Sequence, residues 1–242
     1  MGERALRQGI VEVGLEMYRR DFISGSAGNI SVRLPDGNLL ITPSGINKGK
    51  LTPDDLLIID LDGNCLNGDA TCRPSSELPM HLEVYRQRAD VGAVIHAHPI
   101  TCVALSLVGI SLQDSYIPEA LVMLGPVPTT PYATPSSTEN RDAIAGLIAG
   151  HDAIILAHHG SLTVGRDLDE AYARLEILEH TAKTVALAFQ MGTPRSLEPK
   201  AVEKLLEMRH QMGLARGEEN PLALRIAAEV ERVTLDLDAL QW

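Results

Sequence analysis

Residues 91–99 read VGAVIHAHP. The run 91–98 is rich in β-branched and small residues and predicts a strand. Before it, residues 74–87 carry Leu78, Leu82 and Tyr85 on one helical stripe, and after it residues 100–108 read as a short buried helix. A strand between two helices is the pattern of an α/β chain, and it repeats downstream. Residues 153–158 and 161–164 read as further strands. Asp167 then opens the longest helix, where Leu168, Ala171, Leu175, Leu178, Ala182, Val185 and Phe189 alternate steps of three and four.

Upstream, Leu6, Ile10, Val13 and Met17 mark one face of an N-terminal helix that ends near Ser24-Gly25. Residues 30–34 and 39–42, joined by Pro35-Asp36-Gly37-Asn38, predict a β-hairpin, and 56–61 predict a buried strand. Residues 109–137 carry several prolines and read as loops with at most one strand. Ser137-Thr138 then caps a helix to about residue 149. Weaker helices follow near 199–213 and 221–232, and VTLDLD predicts a terminal strand. Interspersed helices and strands favour α/β layers.

The chain has 242 residues, long enough for a full core, and a formal net charge of −11 from 21 Lys+Arg and 32 Asp+Glu. That balance argues against nucleic acid and anionic membranes, which require a basic face, and 3% aromatics offer little base-stacking surface. No apolar run is long enough for a membrane span or a signal peptide. Cys65, Cys72 and Cys102 show no CxxC spacing and read as free thiols. The expected location is the cytoplasm.

Two clusters end strands and carry chemistry. His96 and His98 stand two apart, so both imidazoles face one way. That is two-thirds of an open zinc site, and His158-His159-Gly160 offers the third ligand from one of its two histidines. A single such histidine would be core packing, and two clusters at strand ends favour a metal. His81, His151, His180 and His210 read as surface or packing residues. Pro74-Ser75-Ser76-Glu77 opens a helix, where free N–H groups suit an anion or where serine simply caps. The loops Gly25-Ser26-Ala27-Gly28-Asn29 and Thr42-Pro43-Ser44-Gly45 either cradle phosphate or merely turn the chain.

Taken together, GNISVR (28–33), ITPSG (41–45), PSSE (74–77), HAHP (96–99) and HHG (158–160) resemble, in order and spacing, the class II aldolase/adducin family. The resemblance covers about residues 1–192 and leaves 193–242 as a C-terminal helical extension, packed on the same domain or on a neighbouring subunit. It implies a three-layer α/β/α subunit with a mixed, mostly antiparallel central sheet. It also implies a homotetramer with active sites at subunit boundaries. By the same match, His96, His98 and His159 would bind one Zn2+, with Mn2+ or Co2+ as other ions that three imidazoles accept. Glu77 would be the acid/base residue. Gly28, Asn29, Ser44, Gly45, Ser75 and Ser76 would hold the phosphate of a sugar substrate.

The implied reaction is reversible cleavage of a ketose 1-phosphate to dihydroxyacetone phosphate and an aldehyde. Glu119 falls where the fuculose-phosphate aldolases carry a tyrosine, and no tyrosine follows Tyr172. These departures point to an aldehyde other than that of fuculose, and make Glu119 a candidate base for the C4 hydroxyl. Rival readings on the scaffold are a ribulose-phosphate 4-epimerase, a decarboxylase or a dehydratase. A rival of another class is a metal-free adducin-like interaction module, which would lack the histidines and Glu77.

Overall fold

The computed structural model describes residues 2–67 and 73–215. Its centre is a six-stranded sheet in the order β3-β2-β1-β4-β6-β5. The strands are β1 (Asn29–Arg33), β2 (Leu39–Ile41), β3 (Leu57–Ile59), β4 (Ala93–Ala97), β5 (Ala153–Leu156) and β6 (Gly160–Gly165). Every named pair is antiparallel, and one parallel bridge, Thr129 to Ile155, makes the sheet mixed.

Side-chain alternation along β4 separates two helical layers. Ala93, Ile95 and Ala97 pack with Ile10, Val13 and Met17 of α1 (Glu3–Arg19) and with Leu168, Ala171 and Leu175 of α6 (Leu168–Met191). Val94 faces the other way, onto Met80, Val84 and Tyr85 of α2 (Leu78–Gln87) and Ile144 of α5 (Thr138–Ala145). The expected three-layer α/β/α arrangement follows from this alternation. α3 (Ile100–Leu107) packs against α6 and the β5 edge through Cys102 and Leu105.

The 109–137 stretch differs from expectation. It contains a helix, α4 (Pro118–Leu124), with Pro118 at its first turn, where the missing N–H costs nothing, and Gly125 ending it at φ 72°. α2 begins at Leu78, after PSSE rather than within it. Ser75 Oγ accepts from Glu77 N at 3.2 Å, a local turn that delays the helix. The first helix stops at Arg19, ahead of Ser24.

α7 (Pro199–Gln211) packs on α4. Its Arg209 is fully buried, donates to Val122 O at 2.9 Å and lies 3.8 Å from Asp152. Asp152, itself without exposure, also accepts from Arg88 at 2.8 Å and pairs with Arg174 at 3.0 Å. A buried carboxylate is tolerable only with such partners, and these arginines come from α6, α7 and the end of α2. Residues 221–232 and the VTLDLD segment lie outside the described residues.

Cys102 is a buried free thiol. Cys65 is disulfide-bonded, which corrects the free-thiol reading there; the chain folds back so that Cys65 bridges Ile59. Cys72 lies outside the described residues. Among those residues, no helix is long and apolar enough to cross a membrane.

Candidate metal centre and anion loops

β4 aims His96 toward the α2/α5 layer, and the chain leaving the strand carries His98 beside it. The two Nε2 atoms are 3.0 Å apart. β5 ends in a tight turn in which His158 takes φ 59° and His159 N donates to Leu156 O at 3.0 Å. The left-handed residue turns the two adjacent histidines apart. His159 joins His96 and His98, with ring centroids 4.8–4.9 Å apart. His158 is exposed, stacks edge-on to Tyr132 at 6.1 Å, and its N–H donates to Ser106 Oγ at 3.0 Å. Gly160 is needed for this packing: a Cβ there would lie 2.3 Å from Ala97 O and 2.9 Å from the His98 ring.

One ligand atom from each of His96, His98 and His159 lies within 4.8 Å of the others. The donor set fits a divalent ion. His96 Nδ1 lies 2.9 Å from Ser161 O, an acceptor, so Nδ1 carries the proton and Nε2 keeps its lone pair. Burial, and then the neighbouring imidazoles, push His96 well below its ordinary pKa. Burial lowers His98 to about 4 and also lowers His159. All three are therefore neutral at pH 7, the form that binds metal.

Glu77 sits beside this cluster, 6% exposed, with a carboxylate that acts on both His98 and His159. Its Oε1 accepts from Ser136 N at 2.6 Å and Ser136 Oγ at 2.9 Å; its Oε2 accepts from Asn140 Nδ2 at 2.8 Å. Ser136 and Asn140 belong to no motif of the sequence and are placed here by the fold. A signal for Asn140 existed: it precedes Ile144 by four residues, which puts a polar group on the buried face of α5.

The loops converge on the same end of the sheet. Asn29 pairs with His96 across β1 and β4, and Gly28 allows the approach, since a Cβ there would be 2.5 Å from Ile23 Cγ2 and 3.0 Å from His96 O. Pro43 and Pro74 pair in antiparallel register, with Ser75 N donating to Thr42 O at 3.3 Å and Ser44 N to Arg73 O at 2.9 Å, so the loop that carries Ser44 runs beside the segment that carries Ser75. Ser76 Oγ and Ser136 Oγ are 2.9 Å apart, which ties this loop to Glu77. Glu119 is exposed at the first turn of α4 and makes no hydrogen bond to these residues.

His81, read from sequence as a surface or packing residue, is fully buried and orients Asn29. Its Nε2 bonds Asn29 Oδ1, its Nδ1 lies 2.6 Å from Ser31 Oγ, and Tyr85 OH is 3.0 Å further on. An amide oxygen only accepts, so Nε2 carries the proton, Nδ1 accepts from Ser31, and Ser31 accepts from Tyr85. Asn29 is left with its N–H groups to offer. Burial lowers the His81 pKa to about 3. The unfolded chain takes up this proton below about pH 6.5 and the folded chain does not, so stability falls as pH falls through that range. The loss is about 1.4 kcal/mol per pH unit per such histidine. Calorimetry of metal-free protein should show Tm dropping steadily from pH 7 to about pH 4.5, and a flat profile would contradict the neutral network.

Residues 8–186 match the model of the Class II Aldolase and Adducin N-terminal domain. The chain belongs to the class II aldolase/adducin family. Within the family it is similar to two differently named groups of enzymes. It is 37% identical over 187 residues to the 3-oxo-tetronate 4-phosphate decarboxylase of Escherichia coli K12, spanning 76% of this chain and 87% of that one. It is 39% identical over 168 residues to the L-fuculose phosphate aldolase of Methanococcus maripaludis, spanning 69% and 88%. A solved L-fuculose 1-phosphate aldolase superposes with a TM-score of 0.78 at 30% identity, covering 84% of this chain and 95% of the other. These relatives bear out the expected fold.

Proposed function

We propose that the protein is a zinc-dependent lyase that reversibly cleaves a ketose 1-phosphate to dihydroxyacetone phosphate and an aldehyde. The substrate would be of the fuculose, 5-deoxyribulose or methylthioribulose 1-phosphate type. The observation that carries this reading is the three-imidazole cluster with Glu77 beside it and the donor-rich loops alongside. It weighs against a metal-free interaction module, which has no use for three neutral imidazoles at one point.

His96, His98 and His159 would hold the ion, with Mn2+ or Co2+ accepted by the same donors. A divalent ion on three neutral ligands keeps its full charge and supplies Lewis-acid polarisation of substrate oxygens. Gly28, Asn29, Ser44, Gly45, Ser75 and Ser76 would anchor the phosphate, using binding remote from the breaking bond to orient it. Glu77 would give the proton to C3 after cleavage and take it in synthesis. Ser136 and Asn140 hold its carboxylate in place for that transfer. In a homotetramer with sites at subunit boundaries, Glu119 from a neighbouring subunit would take the C4 hydroxyl proton.

The decarboxylase relatives favour a second reading. Loss of carbon dioxide from a 3-oxo-tetronate 4-phosphate leaves the same enediolate of dihydroxyacetone phosphate as retro-aldol cleavage. The two readings share the phosphate end and the proton carried by Glu77, and differ only in the leaving group. A screen of ketose 1-phosphates and of 3-oxo-tetronate 4-phosphate, with coupled detection of dihydroxyacetone phosphate, separates them. The aldolase reading expects release from a ketose 1-phosphate with an aldehyde in equal amount. Release from the 3-oxo acid alone, with carbon dioxide, would replace it by the decarboxylase.

A further inference from the structure

Lys48 stands in a short 3-10 turn, Lys48–Lys50, and is 2% exposed. Its Nζ donates to Ser26 O at 2.8 Å and to Ile46 O at 2.8 Å. Ser26 belongs to the loop that delivers Gly28 and Asn29; Ile46 directly follows Ser44 and Gly45. One ammonium thus joins the two loops assigned to phosphate. The other cations nearby in sequence, Lys50 and Arg73, are exposed.

Lys48 has no carboxylate partner within ion-pair distance among the described residues. Burial lowers its pKa to about 8, so the ammonium still predominates at pH 7. A buried charge without a counter-charge is costly, and a neutral donor could tie two carbonyls more cheaply. An ammonium also has three N–H donors, of which the two carbonyls use two. The charge is intelligible if the loops it joins receive an anion.

We propose that Lys48 is the positioning residue of the phosphate subsite, holding both loops in register and supplying the buried positive charge that a bound phosphate dianion offsets. The proposal rests on the reading of Asn29, Ser44, Ser75 and Ser76 as phosphate donors. It also explains how loops that contribute only amide, hydroxyl and backbone N–H donors could hold a dianion on a protein of net charge −11.

The test uses zinc-loaded full-length protein titrated calorimetrically with inorganic phosphate, with kinetics on whichever phosphorylated substrate the screen identifies. Lys48→Gln keeps amide donors for the carbonyls but removes the charge, so it separates charge from tethering. Phosphate binding should weaken by roughly tenfold or more and KM should rise in step, while kcat and bound metal stay within about twofold. Lys48→Arg should restore most of the affinity, and Lys50→Met should match wild type. If Lys48→Gln unfolds, the Lys48→Arg rescue and a Lys48→Met variant studied at low temperature supply the same comparison. Wild-type phosphate affinity in Lys48→Gln or Lys48→Met overturns the proposal, as does a loss of kcat with KM unchanged. Ser75→Asp, which sets a like charge against the anion, tests the underlying reading separately. If it leaves phosphate binding intact, the subsite itself is misplaced; if it abolishes binding while Lys48→Gln does not, only the role of Lys48 fails.

Discussion

Replacing His159 with alanine will release the metal and lower activity by about a thousandfold or more, whereas replacing His158 will leave metal content near wild type. The first loss follows from the donor count. An open catalytic site needs three protein ligands, and two imidazoles with solvent hold a divalent ion far more weakly. Losing the ion removes Lewis-acid stabilisation worth several kcal/mol, which is the source of the rate factor. The second residue is spared because its ring points the other way, toward Tyr132, and its N–H is held by Ser106. Metal analysis of the two purified variants decides between them. Depletion in His158→Ala with retention in His159→Ala would reverse the assignment. The lowered pKa values add a pH signature. With His98 at about 4, protons compete poorly for the site, so metal occupancy should hold from about pH 8 to about pH 5 and fail only below that.

Glu77→Gln will slow exchange of the C3 proton of dihydroxyacetone phosphate by about 10²–10⁴-fold, the usual worth of a positioned base. The substitution preserves shape and most of the contacts from Ser136 and Asn140, so metal and phosphate binding should persist. Deuterium incorporation from heavy water into dihydroxyacetone phosphate, with no aldehyde present, isolates this step. It reads the same chemistry whether the leaving group in turnover is an aldehyde or carbon dioxide. Exchange at the wild-type rate would move the role to another group, Glu119 first. Asn140→Leu offers a milder companion: the carboxylate loses one of its three hydrogen bonds and its orientation loosens.

Much of this centre was legible in the chain itself. The period-two spacing of His96 and His98 points to a common face because side chains alternate along a strand, and the two rings do meet although the strand ends at Ala97 and His98 is the first residue beyond it. The seam of α6 was legible for the same kind of reason from Leu168 to Val185, although Phe189, its last member by spacing, is exposed; Asp167 caps the helix as its side chain accepts from Glu170 N at 2.8 Å. α4 was hidden because seven residues, about two turns, opened by Pro118 and ended by Gly125, are too few to display a period.

What only the tertiary structure decided are the contacts between segments far apart in sequence. Nothing local in SSTEN says that Ser136 and Asn140 close on Glu77, some sixty residues earlier. Nothing local in INKGK says that Lys48 ends between two loops. His81 looked like any polar residue on a helix until Asn29 and Ser31 closed over it. Local sequence sets backbone periods and therefore faces. Sheet order, which brings β1 beside β4 and β4 beside β6, sets which faces meet, and the hydrogen-bond partners of buried polar groups exist only after that meeting.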